Sequence, residues 1–152
     1  MCLHARPTRV IERLHVVDGT FELFRAHFSK RPPHSVKGVD KKATLGVCQA
    51  MFSLLRDAGE KCTHLAIAFD NPIVSFRNDL FDAYKSDEGM DPVLRTQFDG
   101  VEEACRALGF VVWTMREFEA DDALAAACVK YGGEVAQEIG RASCRERVLA
   151  SV

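Results

Sequence analysis

His64-Leu65-Ala66-Ile67-Ala68-Phe69-Asp70 is the stretch on which the fold turns. It is apolar from Leu65 to Phe69, closes on a carboxylate, and is stopped by Asn71-Pro72. An alternating pattern would mark a strand with one wet face. An unbroken apolar run means burial on both faces, the state of a strand inside a parallel sheet.

Upstream, Leu14-His15-Val16-Val17 is a second short apolar strand, stopped by Asp18-Gly19. Downstream, residues 110–113 form a third. Helical spacing fills the intervals. Residues 20–28 place Phe21, Phe24 and Phe28 on one side, and residues 43–58 carry a stripe of Cys48, Met51, Phe52 and Leu55 closed by Gly59. A helix opening at Pro92 places Leu94, Phe98, Val101, Cys105 and Leu108 at steps of four and three before Gly109. Residues 119–130 form a fourth, alanine-rich helix. Residues 29–40 contain Pro32, Pro33 and Gly38 and read as a loop, made basic by Lys30, Arg31, Lys37, Lys41 and Lys42. Residues 76–85 are helical or irregular, and residues 86–91 are polar and expected to be mobile. Strand and helix alternate three times, which predicts an α/β fold with a parallel central sheet flanked by helices. Ligands in such sheets sit beyond the carboxyl ends of the strands.

The 152 residues suit one domain, and 47% hydrophobic content supports a real core. No signal peptide is visible, and no apolar run approaches the ~20 residues of a membrane span. The expectation is a cytoplasmic protein with no membrane partner. Six cysteines are present without a C-x-x-C pair, which argues against zinc and for reduced thiols. The net charge of −2 hides an asymmetry: residues 1–42 hold nine Lys/Arg against four Asp/Glu, and residues 43–124 hold seven against fifteen. Two solvated faces would give this, and so would a basic margin beside an acidic pocket.

Asp18 and Asp70 each follow an apolar strand directly, and Glu119, Asp121 and Asp122 open the helix after the third. In a parallel sheet all five carboxylates reach one edge. Their repulsion amounts to several kcal/mol unless cations share the site. Oxygen-only donors favour Mg²⁺ or Mn²⁺. Taken singly, each signal has an ordinary explanation. Asp-Gly is a common turn, Asp70 could cap the segment after it, and Glu-Ala-Asp-Asp suits a helix N-terminus. Three such signals at three successive strand ends point together to a site. Phosphatases of the haloacid-dehalogenase type need Asp-x-Asp-Gly-Thr, and Val16 stands where the first Asp belongs. No glycine-rich phosphate loop is present.

Val17-Asp18-Gly19, Ala68-Phe69-Asp70, Phe76-Arg77 through Tyr84-Lys85, Arg106-Ala107-Leu108-Gly109-Phe110 and Phe118-Glu119-Ala120-Asp121-Asp122 occur in an order that resembles the 5′–3′ exonuclease and flap endonuclease family. This is the nuclease domain at the N-terminus of bacterial DNA polymerase I, and it has a PIN-like, resolvase-like fold. The resemblance runs over roughly residues 12–135. It implies metal-site roles for Asp18, Asp70, Glu119, Asp121 and Asp122, with Mg²⁺ or Mn²⁺ as cofactor. It also implies a basic residue at the scissile phosphate, with Lys85 the first match and Arg77 the second. Independently, these two cations lie eight residues apart beside Phe76, Phe81 and Tyr84 in an acidic stretch, where they could meet a DNA backbone or be plain surface charges. The implied partner is DNA with 5′ ends or flaps; no protein partner can be inferred.

Two rivals remain: a PIN-type ribonuclease with the same strand-end carboxylates, and a non-catalytic nucleic-acid-binding domain. The family pattern continues with another strand carrying two aspartates, whereas this chain has no aspartate after Asp122. From residue 138 its composition turns to Arg, Ser and Ala. The expected division is therefore a nuclease domain at 12–137 and a tail at 138–152, frameshifted or vector-derived, that adds no element to the fold. On this reading the domain is incomplete at its C-terminus and nearly inactive alone.

Overall fold

A computed structural model of the chain describes residues 13–81, 84–86 and 88–131, and the backbone of 137–141. In chain order the elements are β1 (Arg13–Asp18), α1 (Gly19–Phe28), β2 (Ser35–Val36), β3 (Val39–Asp40), α2 (Lys42–Arg56), β4 (His64–Asp70), α3 (Arg77–Leu80), α4 (Pro92–Arg95), α5 (Phe98–Ala107), β5 (Val111–Met115), α6 (Ala120–Tyr131) and β6 (Gln137–Arg141). Four strands form one sheet in the order β5-β4-β1-β6, every neighbouring pair parallel. The parallel α/β architecture expected from the sequence is present.

The apolar run of β4 is explained by a core on each face of the sheet. On one face Val17, Leu65, Ile67 and Phe69 pack with residues of α1, α2 and α5. On the other, Leu14, Val16 and Ala68 meet Ala120, Ala123, Leu124 and Ala127 of α6. Phe69 is fully buried, and truncating such a ring to Ala typically costs about 3–5 kcal/mol.

Asp18-Gly19 is not a turn. β1 runs straight into α1, with Asp18 as the N-cap residue and its Oδ1 accepting from the Phe21 amide at 2.8 Å. Glycine is required next because a Cβ at position 19 would lie 2.5 Å from the Phe69 ring. The start of α1 is thereby pressed onto β4, which brings the ends of the two strands together.

Three further expectations need correction. The inward stripe of α2 comprises Ala43, Val47, Cys48, Met51 and Leu54, whereas Phe52 and Leu55 are exposed. Both stripes obey helical spacing and share Cys48 and Met51. The choice is made by α1, which crosses so closely at Gly46 that a Cβ there would meet the Ala26 Cβ at 2.7 Å. The single helix expected from Pro92 is two, α4 and α5, and Leu108 is exposed. At the break, buried Gln97 reaches across to α2, where its Oε1 accepts from the Thr44 amide at 3.0 Å and the Thr44 hydroxyl at 3.1 Å. Lys41 offers α2 no side-chain cap, so Gln97 supplies a partner in that first turn.

The third correction concerns the tail. Residues 137–141 form β6, parallel to β1 with Arg13 opposite Gln137 and Val17 opposite Arg141. The sequence pattern hides this strand because Gln137-Glu138-Ile139-Gly140-Arg141 has a single large apolar residue. Pairing here rests on main-chain groups, which β1, buried from Leu14 to Val17, must satisfy along both edges. Residues 142–152 lie outside the described residues. Within the basic 29–40 segment, β2 and β3 form a short antiparallel hairpin, turning through Lys37 and Gly38 at positive φ.

Candidate active site

Asp18 ends β1 and Asp70 ends β4, in adjacent parallel strands where Asp18 stands opposite Ala68. Both therefore leave the sheet at its carboxyl edge. Asp70 continues two residues further, opposite Met115 of β5. Its main-chain N–H donates to Thr20 Oγ1 at 2.7 Å, and its Oδ1 accepts from the Ala120 amide at 2.6 Å. These two bonds tie the starts of α1 and α6 to the end of β4. The helix that opens with Glu119-Ala120-Asp121-Asp122 is thus anchored at the edge where Asp18 and Asp70 emerge.

The five carboxylates divide into two connected groups. Burial pushes Asp18 up to about 6 against the pull of the Phe21 amide, and the charges of Asp70 and Asp121 push it the same way. Those three share one negative neighbourhood. Glu119 and Asp122 form the other. Asp122 pairs with Arg77 through two bonds of 2.7 Å, which hold its carboxyl below the usual range, and its Oδ2 also accepts from the Glu119 amide at 2.9 Å. Glu119 is buried and accepts from Ser75 Oγ at 2.7 Å.

Lys85 joins the groups, with Nζ 2.8 Å from Asp70 Oδ2 and 3.7 Å from Glu119 Oε2. Burial opposes its charge, but the bond to Asp70 and the field of Glu119 outweigh that and raise its pKa. Arg77 also approaches Glu119, at 3.7 Å. Every site residue named from the sequence therefore lies at one sheet edge. Arg77 and Lys85 are engaged with the carboxylates themselves, which the spacing of the motif does not disclose. Asp122 faces Arg77 and the first turn of α6.

Among the described residues, no three His, Cys, Asp or Glu side chains are gathered tightly enough to make a preformed metal cage. The donor set still suits a hard divalent ion: all its ligating atoms are carboxylate oxygens, and Asp18 and Asp70 converge with little positive charge beyond Lys85. Three hydroxyls support the site: Thr20 and Ser75, which the sequence does not single out, and Tyr84 of the Tyr84-Lys85 motif, whose hydroxyl lies 3.4 Å from Glu119 Oε2. Each is adjacent or next-but-one to a candidate site residue, but a lone hydroxyl has no periodicity to reveal it.

Comparison with known proteins gives the family and the fold. Residues 13–139 match the family described as the 5′-3′ exonuclease, N-terminal resolvase-like domain. DNA polymerase I of Rhizobium leguminosarum is 40% identical over 131 residues, covering 81% of this chain and 13% of that protein. A 5′-3′ exonuclease of Aquifex aeolicus is 26% identical over 122 residues, covering 80% of this chain and 42% of that protein. The chain thus spans under half the length of these relatives. In fold it is similar to the bacteriophage T5 D15 protein co-crystallised with metal ions (TM-score 0.59, 19% identity, 90% of this chain and 57% of that one). It is also similar to the T5 flap endonuclease in a pseudo-enzyme-product complex with DNA and metal ions (TM-score 0.55, 18% identity, 90% of this chain and 57% of that one). With the strand-end carboxylates, the Glu-Ala-Asp-Asp helix and the family match all falling on the same residues, the chain belongs to the 5′-3′ exonuclease family, as its N-terminal resolvase-like domain.

Proposed function

We propose that this chain acts in the hydrolysis of DNA phosphodiester bonds at 5′ ends or flaps, with Mg²⁺ or Mn²⁺ as cofactor. The observation that carries the reading is the junction of Asp18, Asp70 and Glu119 at the sheet edge, with Lys85 between the last two. Asp18, Asp70, Glu119 and Asp121 would hold divalent cations, with Asp122 behind them. The chemistry such ions supply is polarisation of phosphoryl oxygens and acidification of water.

The chain's own residues do the rest. Asp70 and Glu119 fix the Lys85 ammonium beside the carboxylate edge, where it offsets charge gathering on the phosphate. Arg77, held by Asp122, presents a second cation to the same strand. Ser75 and the Ala120 amide keep Glu119 and Asp70 oriented, so little reorganisation is needed when substrate arrives. The relatives named as exonucleases, and the phage enzyme crystallised with DNA and metal ions, support extending this chemistry to the chain. Because Asp122 is taken up by Arg77 and no preformed metal cage exists among the described residues, the 152-residue chain alone is expected to turn over slowly.

The test is cleavage of a 5′-flap DNA and of single-stranded RNA in Mg²⁺ or Mn²⁺, for the wild-type chain and for Asp70→Asn. Metal-dependent cutting of the flap, abolished by Asp70→Asn, is expected. Cutting of RNA in preference to DNA would instead indicate a PIN-type ribonuclease.

A further inference from the structure

Phe76 and Phe118 belong to neither core. Their rings touch each other, with centroids 5.5 Å apart and planes tilted by 57°, yet they remain 38% and 53% exposed. Isolated exposed apolar residues are ordinary. A contacting pair beside the carboxylate-lined sheet edge is different, because each ring is covalently next to a site residue. Phe76 precedes Arg77, and Phe118 precedes Glu119. The two segments are also joined by main chain, the Phe76 amide donating to the Glu117 carbonyl at 2.8 Å.

Arg77 fixes the pair further. Its guanidinium carbon lies 4.7 Å from the Phe76 ring centre while its two terminal nitrogens bind Asp122. An aromatic surface, a stacked guanidinium and the nearby Lys85 ammonium form a small composite surface. Its apolar part matches the face of a base and its cationic part matches a phosphate, the two halves of one nucleotide.

We propose that Phe76 and Phe118 form a stacking site for a nucleobase of the strand whose phosphate is held at Arg77 and Lys85. This rests on the reading of the chain as a DNA-acting nuclease and adds a subsite to it. Stacking accepts any base, so the pair would hold an unpaired nucleotide in position without selecting sequence. A paired base inside a duplex has no free face to offer, so the subsite favours frayed or single-stranded ends.

The experiment uses the 152-residue chain and 5′-phosphorylated single-stranded DNA in calcium. The oligonucleotide carries 2-aminopurine, or an abasic site, at its first, second or third nucleotide. Stacking quenches 2-aminopurine at one of these positions, and the abasic strand at that position binds about tenfold more weakly. Phe118→Leu and Phe76→Leu lose both effects, whereas Phe118→Tyr and Phe118→Trp keep them. Equal affinity of wild type for intact and abasic strands, or no change in the Leu variants, overturns the stacking site but leaves DNA binding standing. Failure of wild type to bind any of these strands overturns the nuclease reading, and the subsite with it. The comparison of intact with abasic DNA needs no variant, so it decides the matter even where a substitution prevents folding.

Discussion

The Lys85 ammonium sits 2.8 Å from the Asp70 carboxylate, across fifteen residues of chain. Asp70 is almost fully buried, and Lys85 reaches it from a partly open position. One cation therefore guards the carboxylate on which the proposed metal site depends. Lys85→Ala should lower flap cleavage about a hundredfold or more, the usual consequence of losing one charge-stabilising donor. Stability should fall by about 1 kcal/mol or less, since a partly exposed ion pair contributes little and Asp70 keeps its bond to the Ala120 amide. Activity assays and urea denaturation of the same variant check this; a large stability loss with unchanged cleavage would show that Lys85 is structural.

Gly19→Ala should destabilise the protein by about 1–3 kcal/mol, because the added methyl has to displace the Phe69 ring. The same displacement shifts the start of α1, and with it Asp18. Equilibrium denaturation measures the first effect. A neutral substitution would mean that α1 and β4 are not pressed together as described.

Gln97→Leu removes the buried acceptor for the Thr44 amide and hydroxyl. A buried donor left unmatched costs about 1–3 kcal/mol. The loss should appear as a lower denaturation midpoint with an unchanged slope, since the substitution alters stability and not the surface exposed on unfolding. A variant as stable as wild type would indicate that water replaces the glutamine.

About half of the main-chain amides of residues 138–141, the alternate ones that point toward β1, should exchange slowly with deuterium, because among the described residues β6 pairs with β1 along one edge. Mass spectrometry of a peptide spanning this strand gives the answer. Complete exchange within seconds would contradict the pairing and restore the boundary expected at residue 137.

The sequence was legible wherever local pattern and tertiary demand coincide. The run from Leu65 to Phe69 has to be buried on both sides, and it is; Asp18 and Asp70 follow their strands directly, so a parallel sheet alone suffices to bring them to one edge. Legibility failed where a distant residue decided between local options. The face that α2 buries was set by Ala26 against Gly46, and the break between α4 and α5 coincides with the reach of Gln97 to Thr44. β6 was hidden for the opposite reason, since backbone pairing to a buried neighbour needs no apolar alternation. The pairing of Arg77 with Asp122 spans forty-five residues and leaves no mark in composition.

The carboxylates at the ends of β1 and β4 are proposed to bind a divalent cation. Titration of the protein with Mn²⁺, following the free-ion signal by electron paramagnetic resonance, measures this without any substrate. Binding of at least about one ion per chain is expected, competed by Mg²⁺, and lost when Asp18→Asn and Asp70→Asn are combined in a protein that stays folded. Absence of binding in the wild type, or binding unaffected by removing both carboxylates, would rule out a metal site at this sheet edge.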